Sequence, residues 1–163
     1  ALKYDKGPIF IRYPKASAEK NRKAVKSKAL EIGKWEQLTK GKTATIIGVG
    51  SMNGVADKAA AILDAEGIQV GRVDAKFIKP YDEKMLQDLL KNNSHIFVVE
   101  ENNYPGSLSQ TIKAYAESFD GAAKIHAHTL PDRFVTHGSR SQLLAEVKLT
   151  AEEVAAAAMR ILR

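Results

Sequence analysis

The sequence predicts an α/β fold in three layers, a mostly parallel sheet with helices on both faces. From residue 43 onward, short apolar stretches rich in β-branched residues alternate with stretches of helical spacing. This alternation is typical of strand–helix units that build a parallel sheet. The stretch His95–Val99 is also apolar along almost its whole length, as expected for a strand that helices cover on both faces.

The elements follow one another in a regular order. Strands are predicted at residues 43–49, 68–74, 95–99 and 124–129, and helices at 55–66, 82–91, 107–119, 140–146 and 151–162. Gly67 is suited to end the first helix, and Asp82 is suited to cap the second. Capping-box patterns predict the starts of the last three helices, at Ser107 with Gln110, Ser139 with Gln142 and Thr150 with Glu153.

The first 42 residues follow a different pattern. Residues 7–14 (GPIFIRYP) are predicted to form a short buried strand between a turn and a proline. Residues 15–42 carry nine basic and three acidic residues and so hold the entire net charge of +6. Their low apolar content favours a solvated linker over a nucleic-acid surface, which would present basic residues on a folded face. The predicted division is therefore 1–14 (the end of a preceding connection and a first strand), 15–42 (a basic linker) and 43–163 (the α/β domain).

Composition excludes several classes of protein. A length of 163 residues suits one domain with one sizeable core. The absence of cysteine excludes disulfides, thiolate metal sites and cysteine nucleophiles. The sequence has neither an apolar run near the roughly 18 residues of a membrane span nor a signal-peptide pattern. We therefore expect a cytoplasmic protein without a membrane or nucleic-acid partner.

Either removal of the initiator methionine or a cut from a longer chain explains the start at Ala1.

The turn Gly48–Gly54 (GVGSMNG) is the first candidate site. Its glycines would let backbone amides approach a phosphate at the start of the following helix, and Asp74 ends the next strand, where a ribose-binding acid would lie. The spacing is G-x-G-x-x-x-G, however, which is one residue longer than the dinucleotide fingerprint. A structural turn is therefore favoured, and cofactor binding is the alternative.

Arg12 and three consecutive polar residues are further candidates. Arg12 ends the first predicted strand, where a guanidinium could hold a phosphate or carboxylate with two hydrogen bonds or could form a structural ion pair. Glu100, Glu101 and Asn102 follow the third predicted strand of the α/β domain, at the edge where open α/β sheets bind ligands. A hydrogen-bond network that fixes the loop, or a subunit contact, is the alternative for these three residues.

The histidines and the catalytic motifs complete the search. His137 lies in a polar loop with Asp132 and Arg133, where a functional role and ordinary loop hydrogen bonds are both open. His126 and His128 should share one face of a strand, but zinc would need more ligands, so we expect no metal site. The sequence contains no G-x-S-x-G elbow and no P-loop. We therefore assign no catalytic residue and no cofactor-binding residue to this chain.

Six segments in order carry a resemblance to a known family. They are GPIFIRYPK (7–15), LEIGKWE (30–36), GVGSM (48–52), DAKFIKPYDEKML (74–86), VVEEN (98–102) and LPDRFVTHGSRSQLLAEVKLT (130–150). Together they resemble the C-terminal domain of the 1-deoxy-D-xylulose-5-phosphate synthases, which are transketolase-like enzymes that depend on thiamine diphosphate. Transketolases and the β chains of pyruvate-type dehydrogenases share the GVGSM and KPYDE elements but match IRYP and LPDRFVTHGS less well.

The resemblance implies a three-domain enzyme that joins the two-carbon unit of pyruvate, after loss of carbon dioxide, to glyceraldehyde 3-phosphate. Thiamine diphosphate and Mg²⁺ would be bound by the other two domains, so the isolated chain should be inactive. Arg12 occupies the position of an arginine that the family associates with the substrate phosphate. The implied partners are the remaining domains or subunit and a second copy in a homodimer. The chain would then be a fragment or the second subunit of a split enzyme.

One stretch departs from the family pattern. After EEN the family usually has a glycine-rich stretch resembling G-G-x-G-S, whereas this chain keeps only Gly106 and has Ser107 and Ser109 at the later glycine positions. Serine can still start a helix, so the fold should survive. The acceptor sugar is left open, as are two other functions: a subunit of a related transketolase or 2-oxoacid dehydrogenase, and a stand-alone regulatory domain that binds a nucleotide or phosphate.

Overall fold

A five-stranded sheet forms the centre of the domain. The computed structural model describes residue 1 and residues 4–14, 29–119 and 123–163. Its strands are β1 (Glu36–Thr39), β2 (Ala44–Gly48), β3 (Gly71–Asp74), β4 (His95–Asn103) and β5 (Lys124–Leu130). They are arranged in the order β1-β3-β2-β4-β5, in which β1 pairs antiparallel with β3 and the other pairs are parallel. The predicted fold class is therefore confirmed.

The helices begin where the capping residues predict. They are α1 (Asn53–Ala65), α2 (Glu83–Asn92), α3 (Leu108–Glu117), α4 (Arg140–Glu146) and α5 (Ala151–Leu162), and a short 3-10 turn, Gly50–Met52, precedes α1. The side chains of four N-cap residues accept a hydrogen bond from the backbone three residues later, at Asp82, Ser107, Ser139 and Thr150. Within the described ranges, no helix has both the length and the apolar character needed to cross a membrane.

Two apolar layers cover the sheet. On one face, α1, α4 and α5 pack against Ile46, Phe97 and Val99. On the other face, α2 and α3 pack against Ile47 and Val98. Every residue of β2 is buried, because this central strand is covered on both faces. The loops at the carboxyl ends therefore start from strands that are packed on both faces.

The segment 7–14 does not form the predicted strand. It has no regular secondary structure, and its residues are exposed. Phe10 is 91% exposed and Tyr13 is 83% exposed. The prediction of a buried strand was wrong because an apolar run indicates that cover is needed but does not show that this chain provides it.

The sheet begins earlier than predicted. Strand β1 lies within residues 15–42, which were predicted to be a linker. Trp35 anchors it: its backbone N–H donates to Asp82 Oδ2 (3.2 Å) and its indole N–H donates to the Phe77 carbonyl (2.7 Å). All four residues of β1 are exposed, so the sequence carries no apolar alternation there. The strands therefore start at Glu36 rather than at residue 43, residues 15–28 lie outside the described ranges, and the wider division of the chain stays a prediction.

Candidate functional site

The carboxyl ends of β2, β3 and β4 bring several candidate residues to one edge of the sheet. We use the term carboxyl edge for the turn Gly48–Gly54, Asp74, the end of β4 at Glu100–Asn102, the loop 131–139 and Arg140. Open α/β sheets bind ligands at this edge. The question is therefore whether the polar groups there are available or already paired.

Glu101 and Arg140 form the central ion pair of the carboxyl edge. Arg140 Nε lies 3.0 Å from Glu101 Oε1, and Arg140 Nη2 lies 2.5 Å from Oε2. Ser51 Oγ donates to Glu101 Oε2 (2.9 Å) and accepts from Arg140 Nη2 (3.2 Å). Partial burial raises the pKa of Glu101, but the hydrogen bonds from Arg140 and Ser51 outweigh it, so the net pKa is lowered. The pair joins the Gly48–Gly54 turn, the end of β4 and the start of α4.

Glu100 serves the neighbouring helix instead. Its side chain is buried, and its carboxylate accepts hydrogen bonds from the backbone N–H groups of Leu108 (3.1 Å) and Ser109 (2.7 Å) and from Ser109 Oγ (2.6 Å). A carboxylate at the N-terminus of a helix is favoured by the unpaired amides and the helix dipole. These contacts agree with the loop-fixing alternative for Glu100.

The same contacts explain the two serines that depart from the family pattern. Ser107 caps α3 by accepting from the Gln110 N–H (2.9 Å). Ser109 is buried, and its hydroxyl donates to Glu100. The Gln110 side chain reaches back to the Gly106 N–H (2.7 Å) rather than to Ser107. Both serines therefore have hydrogen-bonding roles at the start of this helix.

The loop 131–139 lies beside the ion pair. Thr136 Oγ1 donates to Glu146 Oε2 (2.9 Å), and Arg133 lies 3.8 Å from the same carboxylate. His137 is exposed in this loop, and Asn102 is half-buried at the end of β4. Since Arg140 follows the loop and binds Glu101, the structure brings the predicted residues Glu101, Asn102 and His137 to one edge.

The Gly48–Gly54 turn is occupied by its own side chains. Asn53 Nδ2 donates to Asp74 Oδ1 (2.7 Å) and to the Gly50 carbonyl (3.1 Å). A Cβ on Gly48 would lie 2.5 Å from Asn53 Oδ1, and Gly50 has a φ of +56°. The glycines are therefore needed for close packing and for a left-handed backbone. With Asp74 bound to Asn53, the arrangement favours a structural turn over a dinucleotide site.

The carboxylates of this edge do not fit the magnesium diphosphate group that the family uses. Asp74, Glu100 and Glu101 all accept hydrogen bonds from protein donors. Across the ranges that the structure describes, no cluster of three or more histidine or acidic side chains could hold a metal ion. We therefore derive no step through such a group from the described residues of this edge.

Arg12 lies in a setting that differs from the one predicted. It belongs to the exposed segment 7–14 and does not end a buried strand. The argument from strand position therefore fails for Arg12, and only its place in the RYP motif supports a role in phosphate binding.

The sequence did not predict a group of four stacked rings, which we call the imidazole stack (His95, Phe97, His126 and His128). His126 and His128 share one face of β5, as predicted, and both stack on Phe97 of β4. His95 Nδ1 lies 3.0 Å from His126 Nε2. The pKa of His126 is lowered, mainly by burial and to a smaller extent by the neighbouring His95 and Lys124. The pKa of His128 is also lowered, mainly by burial and to a smaller extent by His126. The pairing of His95 with Lys124 across the strands brings these rings together, and no local pattern reveals that register.

Sequence reasoning also missed the role of Arg140. The stretch from Ser139 to Gln142 was interpreted only as a capping box, which the structure confirms. The signal that could have identified Arg140 is an arginine placed directly after an N-cap, in a chain with two acids ending a strand. The contact joins residues 39 positions apart, so only the fold establishes it.

Comparisons with known proteins agree with this architecture. The family model described as the C-terminal domain of transketolase matches residues 33–154. The 1-deoxy-D-xylulose-5-phosphate synthase of Geobacillus thermodenitrificans is 38% identical over 95% of this chain, and that of Bacillus velezensis is 37% identical over 94%. The matched regions are 25% and 24% of those proteins, so the chain spans about a quarter of the length of these relatives.

Solved structures give the same answer for the fold. A split-gene transketolase, described as an inactive β4 tetramer, has a TM-score of 0.74 and 28% identity, covering 80% of this chain and 43% of that one. A transketolase of Pichia stipitis has a TM-score of 0.55 and 19% identity over 77% of this chain and 17% of its own, which supports the fold alone. The chain therefore belongs to the family of transketolase C-terminal domains.

Proposed function

We propose that this chain is the C-terminal domain of a thiamine-diphosphate-dependent synthase. The complete enzyme would condense pyruvate, with decarboxylation, and glyceraldehyde 3-phosphate to 1-deoxy-D-xylulose 5-phosphate for isoprenoid precursor biosynthesis. The observation that carries this proposal is the 38% identity to such a synthase over 95% of the chain. The domain would supply contacts for assembly and a share of substrate-phosphate binding, while other domains hold the cofactor.

The arrangement of the carboxyl edge supports the proposal that other domains bind the cofactor. Its acids are already paired with Arg140, Asn53 and the N-terminus of α3. A domain whose polar groups are engaged in this way has little capacity for chemistry of its own. It can still present a fixed surface to the domains that carry the reaction.

A second candidate is a subunit of a related transketolase. The transketolase described as encoded by a split gene supports it, because its structure matches 80% of this chain. The two candidates differ in their substrates. The complete enzyme should be given pyruvate with glyceraldehyde 3-phosphate in one assay and a ketose phosphate with an aldose phosphate in another. Turnover of the first pair alone supports the synthase, and turnover of the second pair alone would replace it with the transketolase.

Arg12 is the residue of this chain that we propose for binding the acceptor phosphate. Its guanidinium is always charged and its fork matches two phosphate oxygens. The phosphate is remote from the reacting carbons, so the free energy of this contact would position the acceptor. Arg12 is exposed here, which leaves its fork accessible to a ligand held by the other domains.

Replacing Arg12 in the complete enzyme tests this role. Arg12→Ala should lower kcat/KM for the phosphorylated acceptor by roughly 30- to 1,000-fold, equivalent to about 2–4 kcal/mol, because a charge-assisted pair is lost. Arg12→Lys should recover only part of the activity, since lysine keeps the charge but not the fork. Decarboxylation of pyruvate should hardly change, because pyruvate carries no phosphate. Rapid-mixing kinetics that follow the two half-reactions separately provide the measurement.

Arg163→Ala is the matched control, since Arg163 is an exposed arginine that pairs with Glu66. It should leave both half-reactions unchanged. Equal loss in both half-reactions for Arg12→Ala, with an unchanged circular dichroism spectrum, would refute a specific role in binding the acceptor phosphate.

A further inference from the structure

Phe134 is the most exposed large apolar side chain among the described residues. It lies in the loop 131–139 at the carboxyl edge and is fully exposed, at 101% of its reference area. Single exposed apolar residues are common on protein surfaces. Exposure alone therefore does not identify an interaction site, and the state of the surrounding loop decides what Phe134 indicates.

The loop around Phe134 is held in place on both sides. Before it, Asp132 accepts a hydrogen bond from Asn103 (3.4 Å) at the end of β4. After it, Thr136 donates to Glu146 of α4, and a complete capping box fixes Ser139 at the start of that helix. Arg140 then binds Glu101 with two hydrogen bonds. Asp132, Thr136 and Ser139 of the loop are thus bonded within the domain, while its largest apolar side chain remains in water.

A fixed loop with an exposed aromatic side chain is suited to binding another protein surface. A loop that is already anchored on both sides of the residue loses less conformational entropy on association than a free one. Aromatic anchors that enter an apolar pocket commonly dominate the binding energy of an interface. These two properties distinguish Phe134 from Ile9, Phe10 and Ile11, which lie in a segment without regular secondary structure.

The length of the relatives indicates what covers Phe134. The chain spans about a quarter of the curated synthases, so three quarters of such an enzyme lie outside this domain and are available to cover its surface. Phe134 projects from the carboxyl edge, where sheets of this class face their ligands. A cofactor-binding domain that shares an active site with this edge is therefore a better occupant than a second copy of this domain.

We propose that Phe134 is an anchor by which the loop 131–139 docks into an apolar pocket of the cofactor-binding part of the same enzyme. The inference rests on the proposed function, in that it takes such a part to be present. It assigns to the LPDRFVTHGS segment a role in assembly that follows from the exposure of Phe134 and the anchoring of its loop.

Photo-crosslinking in the complete enzyme identifies the occupant. Phe134→p-benzoylphenylalanine places a photoreactive ring at the anchor, and Leu38→p-benzoylphenylalanine is the control, since Leu38 is 46% exposed on the far edge strand β1. Crosslinked peptides from position 134 should come from the cofactor-binding part. Peptides from a second copy of this domain, or crosslinking no stronger than at Leu38, would overturn the proposal.

Thiol labelling gives a second measurement that does not depend on activity. The chain contains no cysteine, so Phe134→Cys and Leu38→Cys each introduce a single thiol into this domain. In the complete enzyme, the thiol of Phe134→Cys should react with a maleimide at least about tenfold more slowly than the thiol of Leu38→Cys, because docking buries position 134. Equal rates at the two positions overturn the proposal. A wild-type enzyme that fails to form 1-deoxy-D-xylulose 5-phosphate refutes the proposed function instead, while slow labelling at position 134 would still support docking.

Discussion

Two adjacent glutamates at the end of β4 have different structural roles. Successive side chains of a strand point to opposite faces of the sheet. Glu100 therefore reaches α3, where it accepts three hydrogen bonds, while Glu101 reaches Arg140 and Ser51. The sequence predicted that both acids lie at the carboxyl edge, but only the contacts separate a helix cap from an ion pair.

The Glu101–Arg140 pair should contribute measurably to stability. In a double-mutant cycle with Glu101→Gln and Arg140→Met, we expect a coupling free energy of about 1 kcal/mol in urea unfolding, because the pair has two hydrogen bonds and is partly shielded from solvent. The Glu66–Arg163 pair is more exposed and should couple by less than about 0.5 kcal/mol. Equal coupling in the two pairs would mean that the double hydrogen bond adds nothing.

In the turn Gly48–Gly54, glycine is required by the conformation of the backbone and not by a ligand. Gly50 has a φ of +56°, although a Cβ there would meet no atom within 4 Å. Gly54 also has open space around it but lies in α1, where its backbone is helical. Because a Cβ meets no atom at either position, the two substitutions differ only in the backbone conformation that alanine must adopt.

Replacing each glycine by alanine should change stability in opposite directions. Gly50→Ala should lower the free energy of unfolding by roughly 1–2 kcal/mol, since alanine is strained in the left-handed region. Gly54→Ala should raise it by about 0.5–1 kcal/mol, because alanine favours a helix more than glycine does. Urea unfolding followed by circular dichroism measures both changes. Destabilisation by Gly54→Ala would contradict the expectation that this position is an ordinary helical one with open space around it.

Helices were easier to predict than the edge strand β1. The caps at Asp82, Ser107, Ser139 and Thr150 are local, since each hydrogen bond spans three residues, and local signals can be recognised in the sequence. Strand β1 was missed because its four residues are exposed and show no apolar alternation. It is fixed instead by Trp35, whose partners lie more than 40 residues away.

The candidate site was predictable only in part for the same reason. Motif order and the position after a strand predicted Glu101, Asn102 and His137 at one edge. The Arg140 contact and the imidazole stack depend on pairing between distant residues. The segment 7–14 was predicted to be buried, yet its apolar residues find no cover in the described part of the domain.

Stability of the domain should fall at mildly acidic pH through the imidazole stack. The folded-state pKa values of His126 and His128 lie below the ordinary value of 6.5, so the unfolded chain binds protons first. Their contribution is therefore fully present above about pH 7 and is lost as the pH falls below 6.5 towards the lower folded-state pKa values, by at most about 1.4 kcal/mol per pH unit for each proton. Urea unfolding at intervals from pH 8 to pH 5 measures the slope.

Two variants test whether the imidazole stack causes the dependence of the unfolding free energy on pH. His126→Gln combined with His128→Gln should flatten the pH dependence, whatever it does to stability at pH 8. His137→Gln removes an exposed imidazole outside the stack and is the control. An unchanged slope in the double variant would show that other groups govern the loss of stability in acid.

The strand order has a consequence for how such a domain can be used. The chain adds β3 on one side of β2 and then β4 on the other, so the turns after β2 and β4 diverge and leave a crevice, the usual ligand cleft of open α/β sheets. Here Ser51, Glu101 and Arg140 fill that crevice. The domain thus keeps the strand order of open α/β sheets while three of its own side chains occupy the crevice, and exchanging these three side chains is the direct route to installing a binding site in it.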